Sequence, residues 1–476
     1  MDPSRPTRVR YRVLGFSCAL AMITYLDRAC LASAADSVVA DLGLGSVADL
    51  NSAFAAFALA YALFDVPNGW LGDVFGPRSV LVRIVLWWSA FAALTGLVGM
   101  KVGGFVLGGV GTLTLVQFLF GMGEAGAFPN ITRALHNWFP FQERGFTQGA
   151  VWMCGRLMGG LTPLVWTLLV AGVVLPQCDF LGGLSGVELR MTWRAVFWAF
   201  GLVGVAWVVL FALFFRNRPE ECPKVNAAEL AWIGGGAARV RPQRGPVPWR
   251  RIVTNRNLWF LGAMYACQSY GWWFYITYLP RFFGEHYAVS PSSLLGAVYK
   301  GGPLWMGALG CLLGGFLTDW YIRRTGNRRW GRRLFGATGH ALTAVCFLAC
   351  VWAPSAFWFF VLISLAGFST DLTMASSWAS CQDIGNRYAA IVAGFMNMIG
   401  NLGGALANWC FGWVLKLSIA AAAARFGVAA SALPQADHAA ASLHGYHVNF
   451  CISAAVYVVG VLCWLQIDST KPIAEE

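Results

Sequence analysis

Apolar runs of about twenty residues follow one another from end to end of this chain, and they limit its fold more than any other feature. A helix of that length spans the hydrocarbon of a bilayer and satisfies its backbone hydrogen bonds internally, which lipid cannot do for it. Of the 476 residues, 58% are hydrophobic and only 12% are charged, too few to give a water-soluble domain its polar surface. The chain therefore reads as an all-α integral membrane protein. Twelve spans are expected near 13–35, 52–72, 79–100, 104–131, 145–172, 192–215, 257–283, 293–320, 333–353, 356–378, 388–418 and 446–467. Arg5, Arg8, Arg10 and Arg12 run straight into the first span with no small-residue cleavage site, so no cleavable signal is expected.

The polar segment Arg216 to Arg256 separates the spans into two sets of six. The expected organisation is a first six-helix bundle at 1–216, a cytoplasmic linker at 217–256 and a second bundle at 257–476. The formal charge of +12 comes mainly from short loops. It is better explained by the positive-inside rule than by nucleic-acid binding. Arg78, Arg83, Arg133, Arg144, the linker and the Arg323–Arg333 cluster fall on one side, which places that side and both termini in the cytoplasm. The Ala-rich segment Ser418 to His444 then reads as an outer loop. The 13 cysteines are scattered without metal spacing and read as small packing residues. Nucleophile-elbow, phosphate-loop, zinc and dinucleotide motifs are lacking, so the chain is not expected to be an enzyme or to need a cofactor.

The two halves echo each other. Gly69-x-Leu71-x-Asp73, followed by Gly76, Arg78 and Arg83, comes after the second span; Gly315-x-Leu317-x-Asp319, followed by Arg323 and Arg324, comes after the eighth. A repeat six spans apart signals internal duplication of the kind that builds secondary transporters. Glycines allow close helix approach, and an aspartate at a cytoplasmic helix end can pair with an arginine or a helix terminus. Gly69, Asp73, Arg78, Arg83, Asp319 and Arg323 are thus candidates for a cytoplasmic gate, with a purely topogenic role for the arginines as the alternative.

These motifs, with Tyr25-Leu-Asp27-Arg28, Gly123-Glu124-Ala-Gly-Ala-Phe-Pro129-Asn130, Trp138-Phe-Pro140, Glu143-Arg144-Gly145, Pro248-Trp249-Arg250, Tyr278-Leu279-Pro280 and Asn397-Met-Ile-Gly400-Asn401, resemble the major facilitator superfamily. Within it they resemble the anion:cation symporter family, which includes bacterial carriers of galactonate, glucarate and hexuronates and animal vesicular glutamate and sialic acid carriers. The resemblance covers nearly the whole chain. It implies two pseudo-symmetric six-helix bundles, alternating access and proton-coupled symport of a small organic anion such as a hexonate or hexuronate, by a monomer in a bacterial-type inner membrane. A facilitative, sodium-coupled or exporting carrier, or a transporter-like sensor, is the alternative.

An ionised side chain at bilayer depth survives only when paired, hydrated or protonated. The resemblance implies that Arg28 meets the anionic substrate and that Asp27 and Glu124 are the proton-coupling carboxylates, against structural ion pairing as the bland reading. Where sugar-acid carriers often have an arginine two turns before this glutamate, this chain has Gln117. In the fifth span Gln148, Trp152, Arg156, Gly159 and Pro163 recur on one face. Arg156 is expected to grip substrate together with Arg28, or else to pair with Glu124 or Asp27. Tyr25, Tyr61, Gln268, Tyr275, Ser377, Trp378 and Asn397 complete the substrate-binding candidates, since amides, hydroxyls and aromatic walls suit a polyhydroxylated ligand. For each of them interhelical packing is the competing role. Asp65 and Asp371 have no assigned role, and His340 reads as structural.

Overall fold

The computed structural model describes residues 5–102, 105–174, 188–234, 246–289 and 293–473. The long helices in the first part are α1 (Arg10–Leu42), α2 (Asn51–Phe75), α3 (Pro77–Thr95), α4 (Val110–Glu124), α5 (Ala127–Trp138), α6 (Arg144–Ala171) and α7 (Trp193–Phe214). The linker carries two short helices, α8 (Ala227–Gly234) and α9 (Trp249–Val253). Then follow α10 (Arg256–Trp273), α11 (Leu279–Tyr287), α12 (Leu294–Thr325), α13 (Arg328–Cys350), α14 (Ala356–Leu372), α15 (Met374–Gly385), α16 (Ala389–Phe426) and α17 (Gln435–Gln466). Two minimal antiparallel strand pairs, Lys101–Val102 with Phe105–Val106 and Val173–Val174 with Glu188–Leu189, make up the β structure among the described residues.

Among the described residues nine helical stretches are long and apolar enough to cross a membrane, and one of them, Ala356–Phe426, is long enough for two crossings. The other two crossings of the twelve are jointed. The fourth is α4 followed by α5, broken at Ala125–Gly126; the seventh is α10 and α11 joined by a π-helical turn at Phe274–Tyr278. The expected outer loop at 418–444 is a correction: α16 runs on to Phe426 and α17 starts at Gln435, leaving only a short connection. Alanine has the highest helix propensity, so an Ala-rich segment continues a helix past the lipid. The connection is punctuated by Gly427 at φ +65, where only glycine is at ease, and by Pro434 at the α17 N-cap.

The chain divides into two compact units: 1–139 with 154–239, and 140–153 with 240–476. The start of α6 thus groups with the second unit and the remainder with the first. In the first unit α2 packs against α4 and α3 against α7; in the second α12 packs against α14 and α13 against α17. Counted within each half, these are the same partners, second with fourth and third with sixth, so the sequence repeat is also a repeat of packing. The α2–α4 contact depends on Gly121, whose missing Cβ would sit 2.5 Å from the Phe57 carbonyl oxygen. Gly310 plays the same part for α12–α14, with the Phe368 carbonyl at 2.2 Å. Leu26, Leu31, Trp166, Phe197 and Phe200 belong to the first unit's apolar core, and Phe274, Phe347, Phe359, Phe411 and Phe450 to the second's.

Candidate functional site

In the first unit Asp27 and Arg28 are consecutive on α1, so their side chains leave the helix about 100° apart and serve different neighbours. Arg28 turns to α4 and donates from Nε to Glu124 Oε1. Glu124 is fully buried and ends α4, immediately before the break to α5. Gly123 lets the α4 terminus close on Trp87 of α3: a Cβ there would lie 2.3 Å from the indole. The Arg28 guanidinium lies 4.3 Å from the Tyr61 ring centroid, 5.8 Å from that of Tyr25 and 5.9 Å from that of Phe128. Only one prong of the pair is used. Arg28 Nη2 and Glu124 Oε2 are both buried and make no hydrogen bond among the described residues. A planar fork engaged at one point keeps donors for a second anion.

Tyr25 joins this pair to α6. Arg156, 3% exposed, donates to the Tyr25 hydroxyl at 2.7 Å, and its guanidinium carbon is 5.9 Å from the ring centroid. The ring lies against Gly155 and Gly159, where a Cβ would approach to 2.8 and 2.9 Å. The cation beside Glu124 is thus Arg28, not Arg156, and Arg156 is held at the far side of a shared tyrosine. Asp65, fully buried, lies near enough to the Tyr61 hydroxyl to interact with it electrostatically.

Asp27 faces the other way. It is 6% exposed and lines a cavity of about 30 Å³ together with Arg28, Thr95 and Gln117. Gln117, where sugar-acid carriers often have an arginine, makes no contact with Glu124 among the described hydrogen bonds; it donates to Thr95 Oγ1 at 3.2 Å.

The second unit holds the remaining candidates. The Trp378 indole donates to the Tyr265 hydroxyl at 3.3 Å and packs against Trp152, ring centroids 5.0 Å apart. Gln268 donates to the Thr370 carbonyl at 3.3 Å, and Ser377 to the Thr373 carbonyl at 2.9 Å. Tyr275 stacks on Phe347 in the aromatic core, with centroids 6.1 Å apart. Asn397, at 7% exposed, receives a hydrogen bond on its carbonyl from Asn401 at 3.0 Å. In this structure Gln268 and Tyr275 contact neighbouring helices, Ser377 bonds within its own helix, and the aromatic pair Trp152–Trp378 joins α6 to α15. The face expected to run from Gln148 to Pro163 is therefore divided: its first two residues belong with the second unit, and Arg156, Gly159 and Pro163 with the first. Asp371 is fully buried where α14 crosses α12 at Gly307. His340, also fully buried, packs on Tyr457 with its Nδ1 3.2 Å from the Gly336 carbonyl.

Asp319, the aspartate of the second motif, accepts from the backbone N–H groups of Gly145 at 3.0 Å and Phe146 at 2.6 Å. It therefore caps the start of α6, where helix N–H groups lack partners and favour negative charge. Arg332 bridges it, at 3.3 Å, to Asp383, at 3.1 Å; Asp383 also pairs with Arg144 at 2.7 Å. All four side chains are nearly or fully buried. Arg323 donates to the Gln142 carbonyl at 3.4 Å and lies near enough to Asp319 to interact with it electrostatically. In the first unit Asp73 pairs with Arg133 at 3.5 Å, and Gly69 is buried in α2. Arg78 donates to the Ala212 carbonyl at 2.6 Å, and its backbone N–H to Asn217 at 2.9 Å. Arg83 is exposed on α3 with no hydrogen bond or ion pair among the described residues, so it does not join the motif contacts.

Two features were not anticipated from sequence. One is the Arg332–Asp383–Arg144 chain, whose members lie far apart in sequence and looked topogenic or unremarkable. The other is Glu229 of α8, whose side chain is wholly buried. It accepts from the Thr7 hydroxyl at 2.5 Å, the Val9 and Arg10 backbone N–H groups at 3.0 and 3.1 Å, and the Arg10 guanidinium at 3.2 Å. Burial opposes its ionisation. These donors outweigh burial and hold the carboxyl below the usual carboxylate range. Asn226, three residues earlier, caps α8 and would have been the signal.

Residues 17–408 match the family model described as Major Facilitator Superfamily. Over 463 residues the chain is 32% identical to a probable sulfoacetate transporter of Cupriavidus necator, covering 97% of this chain and 94% of that one. It is 28% identical to a probable galactarate/D-glucarate transporter of Bacillus subtilis, covering 87% of each, and 25% identical to a hexuronate transporter of the same organism, covering 85% and 87%. Among solved structures, a proton:xylose symporter bound to a bromodeoxyglucose superposes with a TM-score of 0.67 at 15% identity, covering 97% of this chain and 96% of the other. The Escherichia coli fucose:proton symporter superposes with a TM-score of 0.62 at 14% identity, covering 96% and 99%. These two share the fold.

Proposed function

The chain belongs to the Major Facilitator Superfamily, and we propose that it is a proton-driven symporter that imports a small organic anion by alternating access. It is a multi-pass membrane transporter of the anion type and not an enzyme. The observation that carries the proton-coupled reading is the single-pronged Arg28–Glu124 pair. While Glu124 is ionised it occupies the guanidinium that would bind substrate. A proton on Glu124 removes that competitor and leaves Arg28 free for the anion, so loading of one favours loading of the other. Asp27, one residue away and close enough to feel the Glu124 charge, is the second proton site. Arg156 takes a second anionic or hydroxyl group across Tyr25, and Tyr61 walls the pocket. Gln268, Tyr275, Ser377, Trp378 and Asn397 are further candidate substrate contacts, once they exchange packing partners for ligand. Gly69, Asp73, Arg78, Asp319 and Arg323 belong to the cytoplasmic gate, with both termini in the cytoplasm and the monomer as the working unit.

The substrate class is a sugar acid such as a hexonate or hexuronate, in keeping with the galactarate, glucarate and hexuronate carriers among its relatives. The 32% identity to a probable sulfoacetate transporter favours a second reading, a small sulfonated acid. Uptake by proteoliposomes under imposed pH and voltage gradients tests the coupling, after a thermal-shift screen with sulfoacetate, D-glucarate, D-galactonate and D-glucuronate. Accumulation driven by an inward proton gradient is the expected result. Uptake indifferent to pH, or driven by sodium alone, would remove the proposal.

A further inference from the structure

The Arg28–Glu124 pair leaves Asp27 unexplained. Both of its carboxylate oxygens are buried and neither makes a full hydrogen bond among the described residues, although the Trp88 indole N–H lies close enough to interact with them, an arrangement folded proteins generally avoid. The groups around it are known from every neighbouring helix. On α1 they are Arg28, turned toward Glu124, and Cys30. On α3 they are Trp88, whose indole N–H faces the Asp27 carboxyl without closing a full hydrogen bond, and Thr95; on α4 they are Gln117 and Glu124. The α2 and α7 neighbours, Phe54, Phe57 and Phe197, are apolar.

The cavity that Asp27 lines, about 30 Å³, has room for about one water molecule, and a buried water needs two to four polar partners. Thr95 already donates its hydroxyl hydrogen to the Phe91 carbonyl at 3.0 Å, so toward Gln117 it can only accept. That fixes the amide with its NH2 toward Thr95, at 3.2 Å, and leaves Oε1 as the acceptor on the cavity side.

We propose that this cavity binds one water bridging the Asp27 carboxyl to Gln117 Oε1, and that Gln117, held by Thr95, is a positioning residue that sets the pH at which Asp27 exchanges its proton. Such a water serves both states of the carboxyl. It donates one hydrogen to Gln117 and the other to ionised Asp27, and when Asp27 is protonated it accepts the acid hydrogen on its own oxygen. Gln117 contributes geometry without charge, whereas an arginine at this position would add a fixed cation and bias Asp27 toward ionisation. The proposal rests on Asp27 being a proton site of the symporter.

The test reads Asp27 without substrate. The infrared carboxylic C=O band of Asp27, isolated as the difference between the intact protein and Asp27→Asn, is followed against pH for the full chain in detergent. Gln117→Leu, which keeps the bulk and removes the acceptor, is expected to displace the Asp27 midpoint by about one pH unit. Thr95→Val, which only loosens the amide, is expected to displace it in the same sense by less. An unmoved midpoint in folded Gln117→Leu, judged by an unchanged melting temperature, overturns the proposal. If that variant does not fold, an unmoved midpoint in Thr95→Val does so. The transport reading fails separately, if the unaltered protein takes up no anion under a proton gradient while the Asp27 midpoint still shifts.

Discussion

Replacing Glu124 by Gln gives the sharpest test of how proton and anion are linked. Arg28 reaches Glu124 through a single charge-assisted hydrogen bond inside a cage of three rings. An anion that takes Arg28 must displace this carboxylate, which then holds a proton. In the range where the unliganded protein keeps Glu124 ionised, each bound anion carries in one proton, and the affinity falls about tenfold per pH unit. Glu124→Gln keeps the shape and removes the competing charge. Its anion affinity is expected to lose this slope and, at the alkaline end, to exceed the native affinity by roughly ten- to a hundredfold, the worth of a charge-assisted hydrogen bond at about 1.5–3 kcal/mol. Titration calorimetry of sulfoacetate or D-glucarate in buffers of different ionisation enthalpy counts the protons directly: one more per anion in the native protein than in the variant. Proteoliposomes carrying the variant should exchange anion but not accumulate it against a pH gradient. An unchanged pH slope and proton count in Glu124→Gln would refute the competition and move the coupling to another group.

Three further expectations follow from the described contacts. Asp319→Asn keeps one acceptor but turns an NH2 toward the second backbone N–H at the start of α6; hydrogen exchange at Gly145 and Phe146 should quicken about tenfold or more, and unchanged protection would show that the cap is idle. Arg156→Gln should weaken anion binding about tenfold through loss of one charged donor, as read by calorimetry; undiminished affinity with an altered pH dependence would assign Arg156 to tuning the carboxylates instead. Glu229 has a carboxyl held below its ordinary value, so its hold on the N-terminal segment is complete above the ordinary glutamate range near 4.5 and is lost as pH falls through the lowered value. Protection of the Val9 and Arg10 amides, measured against the intrinsic rate at each pH, should fall under acid in the native protein and already be low at neutral pH in Glu229→Gln; equal protection in the two would show that the clamp does not depend on charge.

What the sequence revealed and what it hid divide along physical lines. Hydropathy reports which segments enter lipid, so the twelve crossings and the duplication were legible from composition and from the repeated Gly-x-Leu-x-Asp element. Hydropathy does not report where a crossing is jointed. The break at Ala125–Gly126 and the π turn at Phe274–Tyr278 arise where the chain remains apolar on both sides. Intramembrane charge marked Asp27, Arg28, Glu124 and Arg156 as candidates because each is costly unless it is used. Who partners whom is a tertiary fact, set by which glycines let which helices touch.

Gln117 shows the consequence of that division. Counted along α4, it stands where sugar-acid carriers often have an arginine, and the sequence offered Arg156 as one partner for Glu124. In the fold Glu124 already has a cation, Arg28 on α1, brought there because the residue after Asp27 points about 100° away from it. Gln117 lies instead on the Asp27 side, in the cavity with Thr95. The two carboxylates therefore have different environments, one set by an arginine and the other by an amide. Groups that titrate in different surroundings respond to different perturbations: Glu124 to whatever competes for Arg28, and Asp27 to whatever hydrates its cavity. In the proposed cycle an anion arriving at Arg28 would act directly on the first and leave the second to set the pH range in which the cycle runs.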